Sequence, residues 1–226
     1  MTRRPEDKTK AGGKAPEAPE AKERIYEAAV KLFARQGFAA TGVRQLARQA
    51  GVNLATVNYF YGSKVGLLKV ILEDLYSGHL AVIRSNLAGR DPVEVKLRRL
   101  VKALAGYMAA NQEKVIIAVT ELHHDAPEIT EFKVSWIKRV AALAKAELVD
   151  PLQKATGLVF PLDILGPALA ALAASRFLFR PVMENIPMSG FEKSAMDQYP
   201  DVIAEIYLNG VMGFVKSRLA QGEDNG

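Results

Sequence analysis

The sequence predicts an all-α protein with a three-helix, helix-turn-helix head followed by a larger helical domain. Three observations predict it. Apolar residues recur at helical spacing from Arg24 onward, prolines at 92, 127, 161, 181 and 200 punctuate the helical segments, and no pair of alternating stretches reads as strands. No internal repeat is present.

The elements follow in order. Residues 1 to 22 mix Lys, Glu, Ala, Pro and Gly without apolar periodicity, which predicts a disordered arm. From Arg24, Ile25, Ala28, Ala29, Leu32 and Phe33 form one stripe of a helix that Gly37 ends. A second helix is expected from about Val43 to Gln49 and a third from about Leu54 to Phe60, with Asn53 as its N-cap. Ser63 caps a long helix through about Leu87, whose buried side carries Leu67, Leu68, Ile71, Leu72 and Leu75. Further helices are expected at about 92–110, 113–124, 127–155, 162–180 and 200–220.

Composition narrows the chemistry. With 226 residues, 49% of them hydrophobic, the chain can bury a substantial core unaided. The absence of cysteine excludes disulfides, thiolate zinc sites, iron-sulfur clusters and thiol redox sensing. No apolar segment follows the charged N-terminus, so no secretory signal is expected. The run Ile164 to Ala174 contains Gly166 and Pro167 and falls short of the roughly 20 residues a membrane span needs. The expected location is the cytoplasm, with no membrane partner.

Charge is unevenly placed. The chain carries +5 overall, and residues 24–64 alone carry Arg24, Lys31, Arg35, Arg44, Arg48 and Lys64 against Glu27. The basic surplus therefore sits at the front of the folded chain, where it could meet a polyanion.

Two helices that cross closely need a small residue at the crossing and a permissive backbone in the turn. Ala47 and Gly51 occupy those places, and Leu46, Ala50, Val52, Val57 and Phe60 would hold the second helix against the first. That leaves Asn53, Leu54, Ala55, Thr56, Asn58 and Tyr59 for the outward face. Short polar groups near a helix start suit base edges in a major groove, and Arg44, Arg48 and Lys64 surround them. The N-terminal amides of the helix that Lys64 begins would also favour a phosphate.

The pattern Arg24-Ile…Ala28-Ala-x-x-Leu32-Phe33…Gly37-Phe38…Thr41…Val43-Arg-x-Leu46-Ala47…Ala50-Gly51-Val52…Thr56-Val57…Tyr59…Ser63-Lys64-x-x-Leu67 resembles the N-terminal signature of TetR-type transcriptional regulators over about 45 residues. The resemblance implies a DNA-binding domain over residues 23–66 and a helical ligand-binding and dimerisation domain over 67–222. It implies phosphate contacts at Thr41, Tyr59 and Lys64, with Arg44 near the DNA. Base reading would fall to Asn53, Leu54, Ala55 and Asn58, with Thr56 reading a base or holding a phosphate. Phe60 stands where many members have His or Tyr, and Tyr61 where Phe is usual; Tyr61 should keep the core ring and add a hydroxyl.

For the second half the resemblance implies a homodimer on a four-helix bundle, with Leu165, Leu169, Leu172, Ile203, Tyr207, Val211 and Phe214 at the interface. Its middle helices would enclose a sensor cavity for a small hydrophobic or aromatic effector, with Tyr107, Met108, Phe132, Trp136, Arg176 and Phe177 as lining candidates. The expected partner is double-stranded, palindromic operator DNA, released on effector binding; a ligand-responsive activator, or a scaffold dimer with an inactive head, would share these features. Adjacent His123 and His124 point about 100° apart on a helix and so make a poor ligand pair, and no metal or cofactor is expected. No thiol nucleophile, phosphate loop or acid-base constellation suggests an enzyme.

Overall fold

The computed structural model describes residues 18–122, 126–183, 185 and 193–223, and every regular element among them is helical. Helix α1 (Ala18–Gln36) buries the expected stripe of Ile25, Ala28, Ala29, Leu32 and Phe33. It starts inside the segment expected to be disordered through residue 22. Glu20 lies in its first turn, where a carboxylate suits the helix dipole, and Ala21 is buried. The rest of the expected arm lies outside the described residues.

Helices α2 (Val43–Ala50) and α3 (Leu54–Tyr61) meet at a tight turn on Gly51, which adopts φ +64°. In that left-handed conformation the Val52 N–H reaches the Ala47 carbonyl at 2.9 Å and closes α2. A residue with a Cβ would cost about 1 kcal/mol there. Asn53 caps α3 as expected, its Oδ1 accepting from the Thr56 N–H at 2.9 Å. Val57 and Tyr61 then dock α3 into the same cluster as Leu46, Ala47 and Ala50.

Helix α4 (Lys64–Leu87) opens with Ser63 Oγ accepting from the Gly66 N–H at 2.9 Å. Its first turns bury Leu67, Leu68, Ile71, Leu72 and Leu75, while Ile83 and Leu87 near its other end join Leu100, Leu104 and Leu148 in a second cluster. One helix thus spans head and body.

Helices α5 (Val93–Ala110), α6 (Gln112–Thr120) and α7 (Pro127–Ala144) follow. α6 is shorter than the expected 113–124, and the Lys133 ammonium donates to the Glu121 and Leu122 carbonyls just beyond its end. The single helix expected over 127–155 follows one path with a change of pitch. A π turn (Lys145–Val149) joins α7 to α8 (Asp150–Thr156), and the Asp150 N–H bonds the Lys145 carbonyl five residues back. Pro151, with no N–H to give, follows directly.

Helices α9 (Leu162–Met183) and α10 (Lys193–Glu223) complete the chain. α10 begins well before the expected residue 200 and takes Pro200 into its interior rather than starting there. Proline suits the helical φ and forfeits one hydrogen bond. Tyr199, Ile203, Ala204 and Leu208 are buried, and this packing of α10 on α5 and α9 holds the helix through the proline. The head is not sealed off from the body. α1 packs on both α4 and α6, and one core cluster runs from Ile25 through Leu72 to Leu208.

Candidate nucleic-acid interface

Helix α3 has one anchored face and one open face. Val57 is fully buried and Tyr61 nearly so, whereas Asn53, Leu54, Ala55, Asn58 and Tyr59 are exposed, Tyr59 at 82%. An exposed tyrosine and leucine beside two asparagines cost hydration unless a partner covers them. The Tyr61 hydroxyl donates to the Lys22 carbonyl at 2.8 Å, so this ring does keep the core position and spends its hydroxyl on α1. Burial pushes that hydroxyl up to about 12, so it remains a donor. Tyr59 packs edge-on against Phe60 at 5.0 Å, which steadies an otherwise free ring. Thr56 is half-buried, and its hydroxyl donates to the capping Asn53 Oδ1 at 2.9 Å. In this arrangement it orients the cap.

Two residues assigned to phosphates stand differently. Thr41 is 1% exposed; its hydroxyl donates to the Gly37 carbonyl at 2.8 Å and accepts from Gln36 at 3.2 Å. Its side chain therefore builds the α1–α2 turn. The Lys64 ammonium donates to the carbonyls of Phe38 and Thr41 at 2.8 and 2.9 Å and lies 4.2 Å from the centre of the Phe38 ring. Burial holds its pKa below the usual lysine value, the opposing pull of Glu121 being smaller. Lysine at this position ties α4 to the α1–α2 turn. Arg44 and Arg48, both on α2, are exposed cations, and the resemblance gave a place near the DNA to Arg44 alone. The signal for Arg48 was its spacing, one turn after Arg44 on the same helix.

The residues predicted to line a sensor cavity separate into groups. Phe132 and Trp136 on α7 meet Tyr76 on α4, with centroid distances of 6.4 and 6.2 Å. Tyr107 on α5 meets His79 on α4 at 5.2 Å, and Met108 is buried in the main core. Phe177 instead packs edge-on with Tyr199 at 5.8 Å, on the α9–α10 side, and Arg176 is half-buried next to it in sequence. Tyr76 and His79 were missed. They are one turn apart on α4, but the buried stripe read for that helix stopped at Leu75.

The residues expected at a dimer interface lie at differing depths in this chain. Ile203 is 4% exposed and belongs to the chain's own core, Leu169 and Leu172 pack against that core, and the Tyr207 hydroxyl donates to the Leu165 carbonyl at 3.0 Å. Val211 is half-buried, and the Phe214 side chain lies outside the described residues. The apolar groups left open are Ile164, Leu178, Phe179 and Val182 on α9 and Val202 and Ile206 on α10. The window Leu162–Phe179 has a mean hydropathy of 1.5, yet only 17% of it is buried. α5 and α10 pack on α9 and set which of its sides faces inward. His123 and His124 lie outside the described residues.

Comparison with known proteins bears on these surfaces. Residues 25–71 match the family profile described as "Bacterial regulatory proteins, tetR family". The HTH-type transcriptional repressor NicS of Pseudomonas putida is 35% identical over 118 residues, which cover 51% of this chain and 54% of that protein. The chain spans little more than half the length of the first curated relatives it matches. Among solved structures, a tetR-family regulatory protein from Rhodococcus RHA1 superposes with a TM-score of 0.69 at 20% identity, covering 86% of this chain and 96% of that one. FadR of Bacillus subtilis, solved in complex with stearoyl-CoA, superposes with a TM-score of 0.63 at 14% identity, covering 83% and 98%. At such identities the likeness is one of fold, head and helical body together.

Proposed function

We propose that this chain, whose residues 25–71 match the profile of the tetR family of bacterial regulatory proteins, is a dimeric, sequence-specific DNA-binding regulator, a repressor released from a palindromic operator by a small molecule. The observation that carries the proposal is the open face of α3. Asn53, Leu54, Ala55, Asn58 and Tyr59 project from a helix clamped by Val57 and Tyr61, with Arg44 and Arg48 alongside. Asparagine reads adenine edges, small apolar groups fit thymine methyls, and flanking arginines hold phosphates.

Two heads at fixed spacing are needed for a palindrome, and a single short helix binds weakly alone. The open apolar surface of α9 and α10 supports a second copy as the partner that supplies them. Operator DNA as partner puts the protein in the cytoplasm.

The test is selection of bound duplexes from random DNA with purified protein near physiological salt. The proposal predicts enrichment of a two-fold symmetric motif. Uniform, salt-sensitive binding without enrichment would leave only a basic head with no reading function.

A further inference from the structure

Helix α2 carries Arg44 and Arg48 to the surface, yet its own hold on the head is narrow. Its buried residues are Leu46, Ala47 and Ala50, one large side chain and two small ones, and Val43 is half-buried. Gly42 provides no side-chain cap, and the first turn closes through the Gln45 and Leu46 N–H groups on the Gly42 carbonyl. A stripe that slim fixes where α2 lies better than how far it is rolled about its axis. The roll matters at Arg44, because a long side chain converts a small rotation of its helix into a large displacement of its guanidinium.

A pair of side-chain amides grips α2 at that turn. Gln36, the last residue of α1, donates through Nε2 to Gln45 Oε1 at 2.9 Å, and Gln45 Nε2 donates back to Gln36 Oε1 at 3.2 Å. Two parallel contacts between planar groups fix a direction as well as a distance, which a single contact does not. The Gln36 amide is itself anchored, since its Nε2 also lies 3.2 Å from Thr41 Oγ1 and 3.3 Å from the Ala40 carbonyl oxygen. Both glutamines are half-buried, and the pair carries no charge. Neutrality suits the place, because Gln45 stands beside Arg44 and three residues before Arg48. A carboxylate there would draw Arg48 into an i,i+3 ion pair and lower the positive potential of the face.

We infer that Gln36 and Gln45 are positioning residues for DNA binding: their reciprocal amide pair sets the roll of α2 on α1 and so aims Arg44 at the duplex. Neither amide needs to touch DNA, and both act through Arg44. The inference rests on the regulator reading for its partner and deepens it by naming what holds the basic face of α2 in register.

The test uses the full-length protein with Gln36→Met, Gln45→Met and the two together, each with and without Arg44→Ala. Methionine keeps the length and apolar contact of the side chain and removes the paired hydrogen bonds. Affinity for the selected operator and for an unrelated duplex is measured against salt, with thermal unfolding in parallel. Residual dipolar couplings of the backbone amides in the DNA-free protein give the orientation of α2 relative to α1. Each single methionine variant should stay folded at the assay temperature and bind both duplexes about fivefold more weakly. Each should also lose about one from the salt slope, as Arg44→Ala does. The two together should be no worse than either alone, and none should cost anything further once Arg44 is replaced by alanine. The couplings should show α2 turned relative to α1 in all three variants. Wild-type affinity and slope in the methionine variants, a penalty that persists in the Arg44→Ala background, or an unmoved α2 would each overturn the inference. A wild-type chain that binds both duplexes alike would instead count against the regulator reading, while affinity and slope still report on Arg44 and decide the positioning.

Discussion

The head and the α9–α10 pair are both helical and both rich in apolar residues, yet they use them oppositely. In the head, α1, α2 and α3 bury Ile25, Phe33, Leu46 and Val57 completely or nearly so and present a polar, basic face. In the pair, α9 keeps Ile164, Phe179 and Val182 in the open, and α10 does the same with Ile206. The head encloses most of its large aliphatic groups within its own chain, whereas the pair leaves several of them uncovered. Under the proposed function the first surface takes nucleic acid and the second takes another copy of the chain.

The largest effect that would break this picture comes from Gly66→Ala. A Cβ there would lie 2.2 Å from the Tyr61 carbonyl oxygen, which closes the α3–α4 turn. Overpacking against backbone should cost about 3 kcal/mol or more, lowering the melting temperature and abolishing operator binding together. Next, Phe179→Glu with Ile206→Glu should yield a folded monomer by sedimentation, and weaken operator binding about a hundredfold through lost bivalency. Ile203→Ala tests the same region in the other sense: it should destabilise each chain by about 2–4 kcal/mol in denaturant. If the two glutamates left a dimer intact, the open apolar face would need another partner.

His79 sharpens the comparison through pH. Its folded-state pKa lies below the unfolded value near 6.5, so the unfolded chain binds more protons between about pH 6.5 and 4, and stability falls as pH drops through that window. Asp74, held low by hydrogen bonds from Lys114 and Tyr26 against the opposing effect of burial, acts in the same direction. The difference between wild type and His79→Phe in acid denaturation isolates the histidine, on the order of 2 kcal/mol.

Smaller effects test the head. Asn58→Ala should relax preference at one base position by about 1–3 kcal/mol, and Arg44→Ala should weaken all sequences alike and reduce the salt slope by about one. Lys64→Ala should cost about 1 kcal/mol of head stability, for two carbonyl contacts and a ring contact, with little change in salt slope. A reduced slope in Lys64→Ala would restore it to the phosphate contacts.

The head was legible because its geometry is local. The Ile25–Phe33 stripe, the Asn53 and Ser63 caps and the Gly51 turn are each decided within a few residues, and all appear where spacing puts them. Spacing does not show a side chain's direction where that depends on a distant element. Lys64 looks like a surface cation until the Phe38 and Thr41 carbonyls are brought beside it, and Thr41 looks like a surface hydroxyl until Gln36 and Gly37 enclose it. The phase of α9 is set by its neighbours, and an apolar helix with two apolar sides does not declare which one stays inside. His79 carried no visible signal, since a lone histidine in a long helix is read as surface until its environment is known.

Stoichiometry and base preference, measured together on one duplex, test the proposed function most directly. Native mass spectrometry of the chain on its selected operator, repeated with Asn58→Ala on the same operator and on its symmetric single-base variants, reads both. The expected result is chains bound in pairs, with the substitution relaxing preference at two symmetry-related positions. One chain per duplex, or a base preference indifferent to Asn58, would contradict it.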